Sequence, residues 1–397
     1  MRELAAWIGE RRVGRFSEDH RDEGSAFLFE YESDADENDA VSLTMVPGDE
    51  RRFEMRSFPA PFDMILPEGG RRRRIEDARK ILPADPFSLL SYVGGNPVNR
   101  VRFLPLGETP GKAVPALPPP KEIAACENGL ALFARLVADL DLRQGIAGVQ
   151  PKLLGGAGKP SAAMRNFRGS THILKASTEQ YPCLAANEYA CMQVFRAAGL
   201  AVPEAVLSAD GELLLVSRFD ILADATMLGF EEAAALMGET AATKYLRDYG
   251  TLVDVMASFV QPSVEASVRE RLVTAIVLNW MIGNGDAHLK NFGVLYAGPA
   301  SVDLAPFYDS VCTRAYLPDD VPALALSFDH YSKAWWPRAK LEEFAMKHGA
   351  LSPKAVATMF ERCKAAVADG LGQLNALARR IPAFAPVADG MRRVWTG

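Results

Sequence analysis

From about residue 268 to 282 the chain reads as one helix that is apolar on nearly every side, which demands a place at the centre of a lobe rather than on its surface. It does not read as a membrane span: even VTAIVLNWMIG at 273–283 contains Asn279 and falls short of the ~18 apolar residues that crossing requires. The helix stops at Gly283-Asn284-Gly285, and Asp286, His288, Lys290 and Asn291 follow at once in GDAHLKN. Polar groups at the end of a buried helix are unfavourable unless they find partners or perform chemistry, so this loop is the first candidate site.

Downstream, FGVLY, a Gly298-Pro299 turn and SVDLA predict a hairpin that delivers PFYD, with Asp309 at its end. Two acidic residues are thus carried at opposite ends of one hairpin. Phosphoryl transfer needs such a pair: one carboxylate accepts a proton from the attacking hydroxyl, while a second carboxylate and an amide oxygen hold Mg²⁺ against nucleotide phosphates. Asp286 fits the base, Asn291 stands at the Asp-to-Asn offset of kinase catalytic loops, and Asp309 fits the second carboxylate. Upstream, Lys175 closes a predicted strand, THILKA at 171–176, and Glu188 lies on the predicted helix at 184–199, which Gly199 ends. The glycines around Gln150 and Lys152 would let backbone N–H groups approach phosphates, and LVSRFD at 215–220 is a segment that could bond adenine through its backbone. Each residue alone has a plainer reading. The GDAHLKN side chains could cap the hairpin, Lys175 could be a solvated strand end, Glu188 a surface charge, and His288 a packing residue that orients the loop.

At 397 residues the chain should hold two or three domains, and its 49% hydrophobic and 24% charged residues suit a globular protein. Short strands are expected at 4–9, 12–16 and 26–31, followed by an acidic stretch at 18–39 and a basic one at 51–80 that includes Arg71 to Arg74. PLGETPGKAVPALPPP at 105–120 reads as a stiff, extended linker. AVLSADGELLLVSRFD at 205–220 reads as strand, Asp210-Gly211 turn, strand, and beyond Asp220 the composition is helical with one interruption at 286–309. Cys183 and Cys191 read as small core residues, and Trp335-Trp336 as a core pair. A net charge of −6 gives no overall basic footprint for nucleic acid. Five scattered cysteines without metal-ligand spacing suit a reducing cytosol, and MRELAAWIGERRVGRF lacks the apolar core of a signal peptide; a cytoplasmic location without membrane contact is expected.

GIAGVQPK (145–152), THILK (171–175), NEY (187–189), LLVSRFD (214–220), NWMIGNGDAHLKNFGVLY (279–296) and LAPFYD (304–309) together resemble the HipA-type serine/threonine kinases of bacterial toxin–antitoxin modules. VGRFS (13–17), FLFEY (27–31) and FDMILPEG (62–69) resemble that family's N-terminal subdomain. The resemblance runs from about residue 3 to 312, and the remaining helical part matches in type only. It implies an α+β, bilobal protein-kinase-like fold: a β-rich N-terminal subdomain at 1–105, a linker at 106–120, the nucleotide-binding part of the kinase core at 121–220, and a mainly α-helical C-terminal lobe at 221–397.

It further implies ATP and Mg²⁺ as cofactors, Asp286 as catalytic base, and Asn291 and Asp309 as metal ligands. Ala147, Gly148, Val149, Gln150, Lys152, Lys175, Glu188, Ser217, Arg218, Phe219, His288, Lys290 and Tyr308 would form the ATP site. The implied partners are a protein substrate and a HipB-like helix-turn-helix antitoxin that supplies most of the DNA contact. Family targets include aminoacyl-tRNA synthetases, but no motif here names the target. Two rival readings stand beside the kinase toxin: a catalytically idle co-repressor, and a small-molecule kinase on the same fold. The sequence also departs from the family pattern. Where a serine whose phosphorylation silences the kinase stands five residues before the phosphate-loop glutamine, this chain has Gly145, and residues 143–160 contain no Ser, Thr or Tyr. Silencing by phosphorylation of that loop is therefore not expected. Ser217 likewise stands where an acidic residue is common.

Overall fold

The computed structural model describes residues 1–21, 24–111, 115–139, 150–157, 169–317, 323–328 and 332–397. Strands β1 (Arg2–Ile8), β2 (Arg11–Arg21), β3 (Gly24–Tyr31), β4 (Arg52–Met55) and β5 (Val101–Pro105) form an antiparallel sheet in the order β4-β3-β2-β1-β5. Alternation decides which face is buried: Phe27, Phe29 and Tyr31 point into the core, where Phe29 meets Phe62 from helix α1 (Ala60–Asp63). Helices α2 (Gly69–Arg79) and α3 (Pro86–Val93) complete this β-rich part, and the Arg71 to Arg74 run lies on α2.

A second sheet has the order β6-β7-β8-β10-β9, from β6 (Ala116–Leu117), β7 (Lys152–Ala157), β8 (His172–Ala176), β9 (Ala205–Leu207) and β10 (Leu213–Ser217). Helices α4 (Pro120–Ala124) and α5 (Gly129–Asp139) pack beside it, and α6 (Leu184–Ala197) ends where Gly199 adopts φ 84°. The expected linker therefore does more than span a gap. Its residues Ala116 and Leu117 pair in parallel with Gly156 and Ala157, and Pro115 O accepts the Gly156 N–H at 2.9 Å. A proline-flanked strand is tolerated because it lies at the sheet edge.

A third sheet, β11-β12-β13, joins β11 (Gly229–Glu232) to the expected hairpin β12 (Gly293–Tyr296) and β13 (Val302–Leu304). Strand β11 corrects the reading of helical composition beyond Asp220. GFEE has no strand signature of its own; pairing with β12 decides it, and Gly229 is needed because a Cβ there would lie 2.3 Å from the Tyr296 ring.

The rest is mainly helical: α7 (Ala233–Leu236), α8 (Tyr249–Ser258), α9 (Pro262–Ile282), α10 (Arg338–His348), α11 (Pro353–Arg380) and α12 (Ala385–Thr396). The expected central helix is α9, in which every residue from Leu272 to Asn279 is buried. Gly283 ends it with φ 75°, and α12 closes that end from outside: Trp395 Nε1 donates to Ile282 O at 3.1 Å, and Val394 leaves no room for a Cβ on Gly283. Cys183 and Cys191 are core residues, whereas Trp335 and Trp336 are only partly buried, with Trp336 stacked on Phe328 at 4.6 Å. Among the described residues, no helix is long and apolar enough to cross a membrane.

The β-rich part is locked to the third sheet through a buried polar cluster. Leu43 N–H donates to Glu231 Oε2 at 2.7 Å, and Arg100 bridges Ala40 O and Ala297 O, both at 2.9 Å. Burial pushes the Glu231 carboxyl up from 4.5 to about 7 despite its bonds to this cluster. A carboxyl raised on folding favours the native state while protonated there and loses that advantage as pH rises. Stability should fall between pH 4.5 and 7, by on the order of 3 kcal/mol from this group. Urea unfolding of wild type and Glu231→Gln across that window checks it: the difference between the two should vary with pH, and a constant difference would exclude Glu231 as the source.

Candidate active site

The end of α9 sets the loop that follows. Asn284 Nδ2 donates to Asn279 Oδ1 at 2.7 Å, and Asn284 Oδ1 then accepts the Asp286 N–H at 3.0 Å, so the loop is fastened to the buried helix by side-chain amides. Asp286 itself is exposed, and its Oδ1 accepts the Tyr245 hydroxyl at 2.7 Å. His288 is buried, meets the Tyr245 ring edge-on at 5.0 Å, and is pushed down to about 4 by burial, so it is neutral near pH 7. This geometry favours the orienting reading of His288. Asn291 Oδ1 accepts the His288 N–H at 3.0 Å, and Tyr308 hydroxyl donates to Lys290 O at 2.9 Å, tying the loop to the segment that carries Asp309.

Asp309 holds left-handed backbone, φ 53°, a conformation Asp tolerates better than most residues. Facing it, the second sheet sets two cations side by side: Lys152 on β7 is the cross-strand partner of Lys175 on β8. Like charges in that register repel, and the carboxylates around them make the arrangement tenable. Lys175 bonds both Asp309 and Glu188, the latter at 2.5 Å, and Lys152 lies 3.7 Å from Asp309. Burial works against the Lys175 ammonium, but Asp309 and Glu188 more than offset it and hold its pKa above the ordinary lysine range. Burial likewise opposes charge on Asp309, yet Lys152 and Lys175 hold its carboxyl well below the usual range. The solvated reading of Lys175 and the surface reading of Glu188 are thus excluded; both are buried.

These groups line a cleft of about 770 Å³. Every expected site residue that is described lies on it: Gln150, Lys152, Lys175, Glu188, Ser217, Arg218, Phe219, Asp286, His288, Lys290, Asn291, Tyr308 and Asp309. Ala147, Gly148 and Val149, with Gly145, fall outside the described residues. Proximity is not the same as availability. The Arg218 side chain bonds Asp220 and Ser170 O, and its N–H goes to Thr171 O; Ser217 N–H goes to Glu204 O. Phe219 N–H has no partner among the described residues, and its ring stacks on Tyr308 at 5.6 Å. Lys290 is turned away from a free position, its ammonium 2.8 Å from Glu68 and 3.3 Å from Glu232. Glu68, Glu232, Lys244 and Tyr245 on the same cleft were not expected from the sequence. The only signal for any of them is the place of Glu68 in FDMILPEG.

The donor set suits Mg²⁺, which favours oxygen ligands and keeps waters: an ionised carboxylate, Asp309, and an amide oxygen, Asn291, share this cleft.

Residues 4–104 match the model of the HipA N-terminal domain, and residues 144–371 that of the HipA-like C-terminal domain. Two curated proteins of Sinorhizobium fredii are each 30% identical. "Putative kinase Y4mE" aligns over 82% of this chain and 80% of its own length, and "Putative kinase Y4dM" over 69% and 67%. Among solved structures, a chain of the Shewanella oneidensis MR-1 toxin–antitoxin complex of HipA, HipB and operator DNA superimposes with a TM-score of 0.72. It is 17% identical, and the match covers 99% of this chain and 96% of that one.

Proposed function

The chain belongs to the HipA family, and from that premise we propose that it is an ATP- and Mg²⁺-dependent protein serine/threonine kinase, the toxin of a toxin–antitoxin module. One observation carries the reading: Asp286 and Asn291, on a loop fixed by the central helix, share a cleft with Asp309 and a buried Lys175–Glu188 pair. Asp286 has one oxygen engaged by Tyr245, and the other would accept the proton of the attacking hydroxyl. Lys175, oriented by Glu188, and Lys152 would bind nucleotide phosphates, and Phe219 N–H would meet the adenine edge. Asp309 and Asn291 would hold Mg²⁺, which supplies neutralisation of phosphate charge when bound. In that state Asp309 must be shared between the metal and the lysines that now hold it.

A protein acceptor, cytoplasmic action and a small HipB-like helix-turn-helix antitoxin belong to the same proposal. For the partner, the support is the Shewanella complex, whose fold this chain shares. An idle co-repressor would have no need of a buried lysine held by two carboxylates beside a second lysine, an arrangement that is hard to stabilise without use.

Phosphoproteomics of cells briefly expressing tagged wild type or Asp309→Asn tests activity and substrate together. Phosphoserine or phosphothreonine on a cytosolic protein should rise with wild type only, and a small DNA-binding protein should co-purify with the tagged chain from its native host. Identical phosphoproteomes would defeat the protein-kinase reading.

A further inference from the structure

Glu68 takes no part in the reaction outlined above, yet the supports of the catalytic loop converge on it. It belongs to the β-rich N-terminal part, at the residue that precedes α2, and reaches into the cleft. Each of its oxygens takes one lysine: Oε2 accepts from Lys244 Nζ at 2.9 Å and Oε1 from Lys290 Nζ at 2.8 Å. Both lysines are buried. Lys290 stands in the loop between Asp286 and Asn291. Lys244 is followed by Tyr245, whose hydroxyl donates to Asp286 Oδ1 at 2.7 Å. The two lysine segments are also joined directly, by Leu289 N–H to Lys244 O at 3.3 Å. Nearby, Asp63 Oδ2 accepts the Ala241 N–H at 2.7 Å, a second bond from the N-terminal part to the segment that carries Tyr245.

The charges make this more than a surface pair. Burial opposes ionisation of Glu68, but Lys290 and Lys244 hold its carboxyl down to about 2, so it remains an anion between two cations. Glu232 is the other carboxylate at this point, 3.3 Å from Lys290, and burial raises its own carboxyl to about 7. Glu232 is therefore a weak substitute for Glu68 near neutral pH. An exposed ion pair contributes little to structure, whereas removing one member of a buried set leaves the others uncompensated and free to repack.

We propose that Glu68 is a positioning residue for phosphoryl transfer: from outside the kinase-like core it sets the orientation of Asp286, through Lys244 and Tyr245 on one side and through Lys290 on the other. The inference rests on the kinase reading. It makes the β-rich N-terminal part a working component of the active site.

The test uses the full-length chain, Mg-ATP and the acceptor protein found by the phosphoproteomic comparison. Glu68→Gln should lower kcat by about ten- to a hundredfold while KM for ATP stays within about threefold, because the base is misaligned and the phosphate-binding groups are not. Glu68→Asp, which keeps the charge, should recover part of the rate. Glu68→Gln combined with Tyr245→Phe should be little slower than the slower single variant, since both act along one path. A merely structural Glu68 would instead lower the melting temperature and leave kcat per nucleotide-binding site unchanged, and a rate loss that multiplied with that of Tyr245→Phe would put Glu68 on a separate path; either result overturns the proposal. Should Glu68→Gln fail to fold, the same cycle is run with Glu68→Asp. A wild-type chain that binds Mg-ATP and transfers nothing defeats the kinase reading, and the role of Glu68 with it. Wild-type transfer with an unimpaired Glu68→Gln defeats Glu68 alone.

Discussion

Asp286→Asn is expected to reduce phosphoryl transfer by about 10²- to 10⁴-fold while leaving the protein folded, the range over which a positioned general base contributes. The fold should survive because Asp286 is exposed and the loop is fastened by Asn284 rather than by the Asp286 carboxylate. An Asn side chain can still accept from Tyr245, so the loss would be of basicity and not of placement. Stability should change by no more than about 0.5 kcal/mol, as for other exposed substitutions. ADP release and an unfolding curve on the same preparation check both halves, and turnover near the wild-type rate would remove Asp286 from the role of base.

Lys175→Met should be damaging in a different way. Lys175 is the shared partner of Glu188 and Asp309, and only Lys152, at 3.7 Å from Asp309, would remain to balance them. Uncovering buried carboxylates in this manner typically costs about 3–5 kcal/mol, so both stability and Mg-ATP binding are expected to fall together. Adding Glu188→Gln separates the two effects. With the second charge removed the stability should largely return, since a neutral pair needs no counterion, but transfer should not. Recovery of transfer in the double variant would show that Lys175 serves the fold and not the phosphates; calorimetric ATP titration beside thermal unfolding gives both readings.

The groups legible in the sequence are those that local chemistry exposes. Asp286 and Asn291 follow a helix too apolar to end without a purpose, Lys175 closes a strand, and Glu188 follows on the next helix. Their placement on one cleft agrees with the order in which they occur. What the sequence hides is brought in by packing between distant segments. Glu68 and Lys290 are separated by more than two hundred positions and meet only because the β-rich part docks on the loop. Lys244 and Tyr245 sit in a stretch with no strong periodicity, and nothing local marks one for Glu68 and the other for Asp286. Strand β11 was hidden for the same reason, since GFEE becomes a strand only against β12. The prolines at 105–120 report the stiffness of a linker but not that Ala116 and Leu117 find a sheet edge.

The closure of α9 by Trp395 bears on the order in which a nascent chain becomes competent. The carbonyl that Trp395 caps, Ile282 O, stands at the root of the loop carrying Asp286, and Val394 fills the space over Gly283. Translation reaches Asp309, the last of the groups that would react, well before it reaches Trp395, 86 residues later by subtraction of the two positions. At about 5–20 residues per second that interval is on the order of 5–20 s. Through it the ribosome holds a chain whose reacting groups have all been synthesised and whose central helix still lacks its seal, so the last step in building this loop is made by α12, after everything that would do the chemistry already exists.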